Sequence, residues 1–294
     1  MKITFLGTAA ADQIPSPYCD CPRCTHARTH RGPDVRKRCC YLINDDLLVD
    51  IGPDLLVACS MHDVHLMNVK YTLVTHSHRD HYDAASLVVR KQGFPGREKP
   101  PQMDFVAPPS VMELLNQTGV SDSSLGIRRI PVLPFDSIDL PPYQVKALKA
   151  THYPTVGDAV TYLIDDGTSK VLIASDTAVY KDEVWPHLEN LQLDQLIIEC
   201  TVGTNTSFKA GQTRHLSIDG VEYMINKMKA LNAITDQTAI CATHFTHKHC
   251  PSHDEMSEIL GKMGVRCAYD GLVLDTLNNR PGANTTEKMT SHPS

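Results

Sequence analysis

The chain has 294 residues, 41% hydrophobic and 21% charged, with a formal net charge of −6 at pH 7. That length can bury one large core or two ordinary ones, and the acidic balance disfavours a general nucleic-acid or anionic-membrane binder. No apolar run approaches the roughly 18 residues a membrane-spanning helix needs, which excludes one.

The opening "MKITFLGTAAAD" has the Lys and small residues of a secretion signal, but its apolar stretch Ile3 to Leu6 is too short for one. It reads as a first strand, in a cytoplasmic protein. Cys19, Cys21 and Cys24 then fall close together, which in a reducing compartment points to metal. The other cysteines, Cys39, Cys40, Cys59, Cys200, Cys241, Cys250 and Cys267, mostly sit beside apolar residues and read as buried thiols. Further strands are expected at 41–43, 47–50, 71–75, 104–107 and 144–150, then at 160–165, 170–175, 195–199, 238–242 and 266–270. Asp166-Gly167 supplies the turn that makes 160–175 a hairpin. Helices are expected at 53–61, 80–93 and 217–231, the last with an apolar stripe of Val221, Met224, Ile225 and Met228. Residues 93–101 and 201–214 read as loops, and 278–294 as a polar, disordered tail. Strands in both halves, with helices between them and no linker, indicate one layered α/β domain over 1–277.

The chemistry concentrates in "THSHRDH", residues 75–81, where an apolar run ends. His76 and His78 stand two apart, so in extended backbone both rings point one way toward one ion. Asp80 and His81 follow as the chain turns, where they can reach a second. Imidazoles with carboxylates suit Zn²⁺, Mn²⁺ or Fe²⁺. His152, Asp176 and His244 each close a later predicted strand, and strand ends are where layered α/β folds place their sites.

In these residues the chain resembles the metallo-β-lactamase-fold hydrolases, with their H-x-H-x-D-H motif and later His, Asp and His. The resemblance covers roughly residues 2 to 276. It implies a four-layer αββα sandwich with two divalent ions, Mn²⁺ or Zn²⁺, at one edge of the paired sheets. By resemblance His76, His78 and His152 hold one ion, Asp80, His81 and His244 the other, and Asp176 bridges them. Asp50 matches an acidic residue that orients the ligands, and "FLGTAAADQIP" resembles the family's Gly-Thr loop beside the site.

Cys19, Cys21 and Cys24 need a fourth ligand to close a tetrahedral structural Zn²⁺. His26 and His30 are local candidates, and His247, His249 and Cys250 are distant ones. One branch of the family, similar to the cyclic phosphodiesterase of the carbon–phosphorus lyase pathway, carries this cluster and completes it with a histidine three residues after the last active-site ligand. That resemblance implies His247. The same branch and the tRNA 3′-processing nucleases share an acidic strand end followed by a histidine, here Glu199 and His215. The resemblance makes His215 the catalytic histidine, a candidate general acid or donor to a phosphoryl oxygen, and Asp80 is the other candidate catalytic residue.

Two such ions lower the pKa of a water between them toward ~7, so the expected reaction is in-line hydroxide attack on phosphorus. Arg79, Lys209, Arg214 and Lys248 could hold substrate phosphate. The expected substrate is a small phosphodiester, such as a ribosyl 1,2-cyclic phosphate. A tRNA nuclease would carry an RNA-gripping arm between the equivalents of His152 and Asp176, and here a predicted hairpin fills that interval. No nucleic-acid or membrane partner is expected, and a homodimer is allowed. The remaining alternative is a non-hydrolytic metal-binding protein of cofactor biosynthesis, because a pyrroloquinoline-quinone-pathway relative shares the cysteine cluster.

Overall fold

The computed structural model describes residues 1–91, 100–205, 207 and 214–276. The first half of the chain runs β1 (Lys2–Gly7), α1 (Pro22–His30), β2 (Cys40–Ile43), β3 (Leu47–Val49), α2 (Leu55–Met61) and β4 (Tyr71–Leu73). It continues with α3 (Ala84–Val88), β5 (Met103–Ala107), α4 (Pro109–Gln117), α5 (Asp122–Leu125) and β6 (Ile127–Pro131). The second half begins with β7 (Ser137–Leu140), β8 (Tyr143–Lys149), β9 (Val160–Asp165), β10 (Lys170–Ala174) and β11 (Leu193–Glu199). It closes with α6 (Ile218–Ala230), β12 (Ile234–Thr243), α7 (His253–Gly261), β13 (Arg266–Cys267) and β14 (Val273–Asp275).

Side chains alternate across each strand, and here both faces are apolar, so both must be covered. In β2, Tyr41 and Ile43 enter one core while Cys40 and Leu42 enter another. In β10, Val171 and Ile173 join the layer of Tyr41, and Leu172 and Ala174 face the opposite way. The outcome is two seven-stranded sheets, ordered β14-β1-β2-β3-β4-β5-β6 and β13-β12-β11-β10-β9-β8-β7. The layer between them holds Phe5, Tyr41, Tyr162, Ile173 and Ile197. Outside the first sheet, Leu55, Leu87, Val111 and Leu115 bring in α2, α3 and α4. Outside the second, Val221, Met224, Met228 and Leu260 bring in α6 and α7. This is the α/β, four-layer αββα sandwich expected from the sequence.

The topology gathers particular strand ends. β3 pairs parallel with β4, and β10 pairs parallel with β11, as β11 does with β12. β8 and β10 both pair antiparallel with β9 and so run in one direction. Tyr162 ties the two sheets near this edge, its hydroxyl donating to the Val74 carbonyl at 2.9 Å. The expected hairpin is present as β9–β10, in register from Lys170 opposite Asp165.

Three expectations need correction. The helix expected over 80–93 is only Ala84–Val88, because Asp80 to Tyr82 turn into the site and Asp83 caps the helix through Ala85 N–H at 3.3 Å. The strand expected at 266–270 stops at Cys267, since buried Asp270 turns in to accept from Lys37 N–H and the Thr8 hydroxyl. The helix expected from Pro53 begins at Leu55. The tail 278–294, residues 93–99 of the proline-rich loop, Lys209 and half of the 201–214 loop lie outside the described residues. Among the described residues no helix is long and apolar enough to cross a membrane.

Candidate metal centre

Four of the chelating side chains leave a strand end just after the backbone stops pairing, and His78, Asp80 and His81 lie in the turn that follows the first of them. His76 follows β4, His152 follows β8, Asp176 follows β10 and His244 follows β12. Asp50, Asp176 and His244 have φ of 62°, 56° and 59°. Non-glycine residues enter this left-handed region at a cost, and such strain concentrates at functional sites. The loop after β3 also needs close backbone approach: a Cβ on Gly52 would stand 2.1 Å from the Asp80 carbonyl oxygen.

Two ligand sets result. His76, His78, His152 and Asp176 each bring one ligand atom within 4.8 Å of the others, and so do Asp80, His81, Asp176 and His244. Asp176 belongs to both. His76 Nε2 and His152 Nε2 each lie 3.0 Å from His78 Nδ1, and His81 Nε2 lies 3.2 Å from His244 Nε2. Asp176 Oδ2 stands 3.2 Å from both His76 Nε2 and His81 Nε2. Ring nitrogens that face each other so closely, around a shared carboxylate, repel unless a proton or cation lies between them. His152 Nδ1, 3.4 Å from Asp176 Oδ1, is buried without a hydrogen-bond partner. This donor set fits divalent ions of the Zn²⁺ or Mn²⁺ type.

The rings are braced from behind. Asp50 is wholly buried and accepts from His81 Nδ1 at 2.7 Å and from the Thr75 N–H at 2.8 Å. Thr201 Oγ1 lies 2.7 Å from His244 Nδ1 and donates to Glu199 Oε2 at 2.6 Å. Both arrangements leave the opposite nitrogen facing the centre, as ligating histidines require. Thr201 was not singled out from sequence; the signal was its position two after Glu199 at a strand end.

His215 stands beside both ligand sets, with Nδ1 2.8 Å from Asp176 Oδ1 and 3.2 Å from Glu199 Oε1. Burial opposes its charged form, but Glu199 and Asp176 outweigh that and push it up to about 11. Burial pushes His152 down to about 3, only partly offset by Asp176. The two histidines therefore differ in kind: one holds a proton at neutral pH, the other presents a lone pair. Burial also opposes ionised Asp80, yet His81 and His244 hold its carboxyl well below the usual range.

Around these groups is an open cleft of about 460 Å³, with Ala10 to Asp12, Arg79, Tyr153, Thr246 and Lys248 also on its walls. The Gly-Thr loop therefore does flank the centre. Arg214 donates to the His152 carbonyl at 3.1 Å and stands over the Tyr153 ring at 5.2 Å.

A third cluster lies next to the cleft. Cys19, Cys21, Cys24 and His247 bring one ligand atom each within 4.8 Å of the others. His247 Nδ1 is 3.6 Å from Cys19 Sγ and 3.5 Å from Cys21 Sγ. A tetrahedron with Zn–S of about 2.3 Å and Zn–N of about 2.0 Å has S–N edges of about 3.5 Å. Burial raises the Cys21 thiol, but the Cys24 N–H and His247 outweigh it and bring it down to about 6, favouring the thiolate. His26 is not in the cluster; it lies 3.2 Å from Asp34.

A family model described as a beta-lactamase superfamily domain matches residues 46–245. The chain belongs to the β-lactamase superfamily. No curated protein matches it in sequence. Among solved structures it is similar to Zn²⁺-bound PqqB from Methylobacterium extorquens, with 16% identity and a TM-score of 0.71, over 94% of this chain and 100% of that one. It is similar to a diphosphatase of the PhnP family, with 21% identity and a TM-score of 0.70, over 93% of this chain and 96% of that one. Human tRNase Z, short form, shares 18% identity and a TM-score of 0.65, over 94% of this chain and 99% of that one. At such identities these likenesses show a shared fold, that of the metallo-β-lactamase-fold hydrolases.

Proposed function

We propose that this chain is a two-metal phosphodiesterase acting on a small, cyclic phosphodiester such as a ribosyl 1,2-cyclic phosphate, similar to the phosphodiesterase branch of the carbon–phosphorus lyase pathway. The observation that carries the reading is the position of His215, held by Asp176 and Glu199 at the edge of two convergent ligand sets. Divalent ions there would supply Lewis-acid neutralisation of phosphoryl charge and activation of a water. His76, His78, His152 and Asp176 would hold one ion, and Asp80, His81, His244 and Asp176 the other.

The chain's own groups do the rest. Asp50 and the Thr201–Glu199 pair fix the rings of His81 and His244. With Nδ1 on two carboxylates, His215 presents Nε2 as the atom that hands a proton to the leaving alkoxide. Asp80, held ionised, serves as ligand and not as proton donor. Cys19, Cys21, Cys24 and His247 hold a structural Zn²⁺. Ten free cysteines, eight of them buried, fit a reducing, cytoplasmic setting.

Cleft size and topology favour a small substrate over RNA. The cleft is of small-molecule dimensions, and the β9–β10 hairpin, turn included, fills most of the interval between His152 and Asp176. The test compares kcat/KM for a ribosyl 1,2-cyclic phosphate, a nucleoside 2′,3′-cyclic phosphate and a precursor tRNA, at low and moderate salt. Turnover of the cyclic compounds with little salt dependence supports the reading. Efficient tRNA cleavage would replace it with the nuclease reading, and metal binding without any turnover with the non-hydrolytic one.

A further inference from the structure

The cysteine cluster and the metal cleft share a wall, and one ion pair stands on it. His247 turns Nδ1 to Cys19 and Cys21, and its Nε2 lies 3.4 Å from Asp12 Oδ2. Lys248 Nζ lies 3.0 Å from the same Asp12 oxygen. Asp12, Thr246 and Lys248 all line the cleft that holds His78, Asp80, His152, Asp176, His215 and His244. His247 thus sits between two cleft residues in sequence and between the cysteines and a cleft carboxylate in space.

Exposed ion pairs contribute little to stability, and the Lys248 and Asp12 side chains are 60% and 43% exposed. The pair's consequence is geometric. An imidazole engaged at both nitrogens cannot rotate, so it fixes the carboxylate on its outer nitrogen. That carboxylate in turn fixes where a long, otherwise mobile lysine places its ammonium.

We propose that Lys248 grips an anionic phosphoryl oxygen of the substrate at the rim of the metal cleft, and that Asp12, braced by His247, is the positioning residue that holds the Lys248 ammonium there. This deepens, and rests on, the phosphodiesterase reading. It assigns the cysteine cluster a further consequence, because the histidine completing it sets the direction of a substrate-binding charge.

The test uses the metal-loaded full chain and two readouts: calorimetric binding of inorganic phosphate, and turnover of bis(p-nitrophenyl) phosphate. Lys248→Ala should weaken phosphate binding about tenfold and raise KM similarly, with kcat within about twofold, the pattern of lost uniform binding. Lys248→Arg should restore most of the affinity. Asp12→Asn should weaken phosphate about threefold, and the double variant should be no worse than Lys248→Ala, since both act through one contact. Unchanged phosphate affinity and KM in Lys248→Ala overturn the proposal. So do additive effects of the two substitutions, or a wild type that does not bind phosphate. Phosphate binding that depends on Lys248, in a protein that cleaves no phosphodiester, leaves this inference standing and removes the hydrolase reading.

Discussion

On the proposed reading, a single histidine separates binding from chemistry in this cleft. His215 is not in either four-residue ligand set built on Asp176, yet its Nδ1 touches Asp176 and Glu199. His215→Ala should therefore leave metal content near wild type while lowering kcat. The loss should be small for a nitrophenolate leaving group, which departs without a proton, and about 10²–10⁴-fold for an alkyl alkoxide. Equal losses on both substrates would assign His215 a charge-stabilising role only. Asp50 tests orientation instead. It meets His81 at 2.7 Å and has no exposure, so Asp50→Asn should weaken the second ion about 10–100-fold, read by competition with a chelator. Retained affinity would mean that packing alone orients His81.

At the scale of elements, the N-terminal cluster stands on α1, and α1 is pinned to α7 by one carboxylate. Cys21 caps α1, its sulfur accepting from the Cys24 N–H. Asp34 pairs with Arg23 of α1 at 2.8 Å and accepts the backbone N–H of His253, the first residue of α7, at 2.9 Å. Burial pushes the Asp34 carboxyl up, but the His253 N–H, Arg23 and His26 outweigh it and hold it below the usual range. A carboxyl lowered by folding stabilises fully above its unfolded pKa of about 3.9, and that contribution fades as pH falls through the lower folded value. Asp34→Asn should thus cost about 3 kcal/mol at pH 7, with wild type and variant beginning to converge in urea melts only as pH falls below about 3.9. A cost independent of pH would trace to packing and not to charge. Cys21→Ser should lower both tightly held zinc and thermal stability, measured by elemental analysis and melting. No change in either removes the structural Zn²⁺ site.

For the whole molecule, the metal centre spans the seam between the sheets. The first sheet's edge supplies His76, His78, Asp80 and His81, and the second supplies His152, Asp176 and His244. Ions bound there link two halves otherwise joined by the apolar layer of Tyr41, Tyr162, Ile173 and Ile197. Ligands that bind only the folded state stabilise it by about 2.7 kcal/mol at 100 times their Kd. Removing metal should accordingly lower Tm, and Tm should climb with added Mn²⁺ or Zn²⁺. A Tm indifferent to metal would mean the centre forms without cost and couples to nothing.

What the sequence by itself determined was local and periodic. Alternating apolar strands specified two-faced sheets, and so the layers. His76 and His78 were legible because extended backbone points residues two apart the same way, and "THSHRDH" needed no partner to be noticed. α7 was missed although Ser252 and Glu255 form a capping box; α1 was missed because its polar run, with cysteines facing a cluster, has no apolar stripe. Only tertiary structure decided which distant residues meet. His247 lies 226 positions from Cys21, and spacing alone left His26 equally available until Asp34 took it. The brace of Thr201 on His244 and the Asp12–Lys248 pair on the cleft wall have no sequence period at all. They arise where strand ends from two sheets converge, and that convergence is a property of the packed chain.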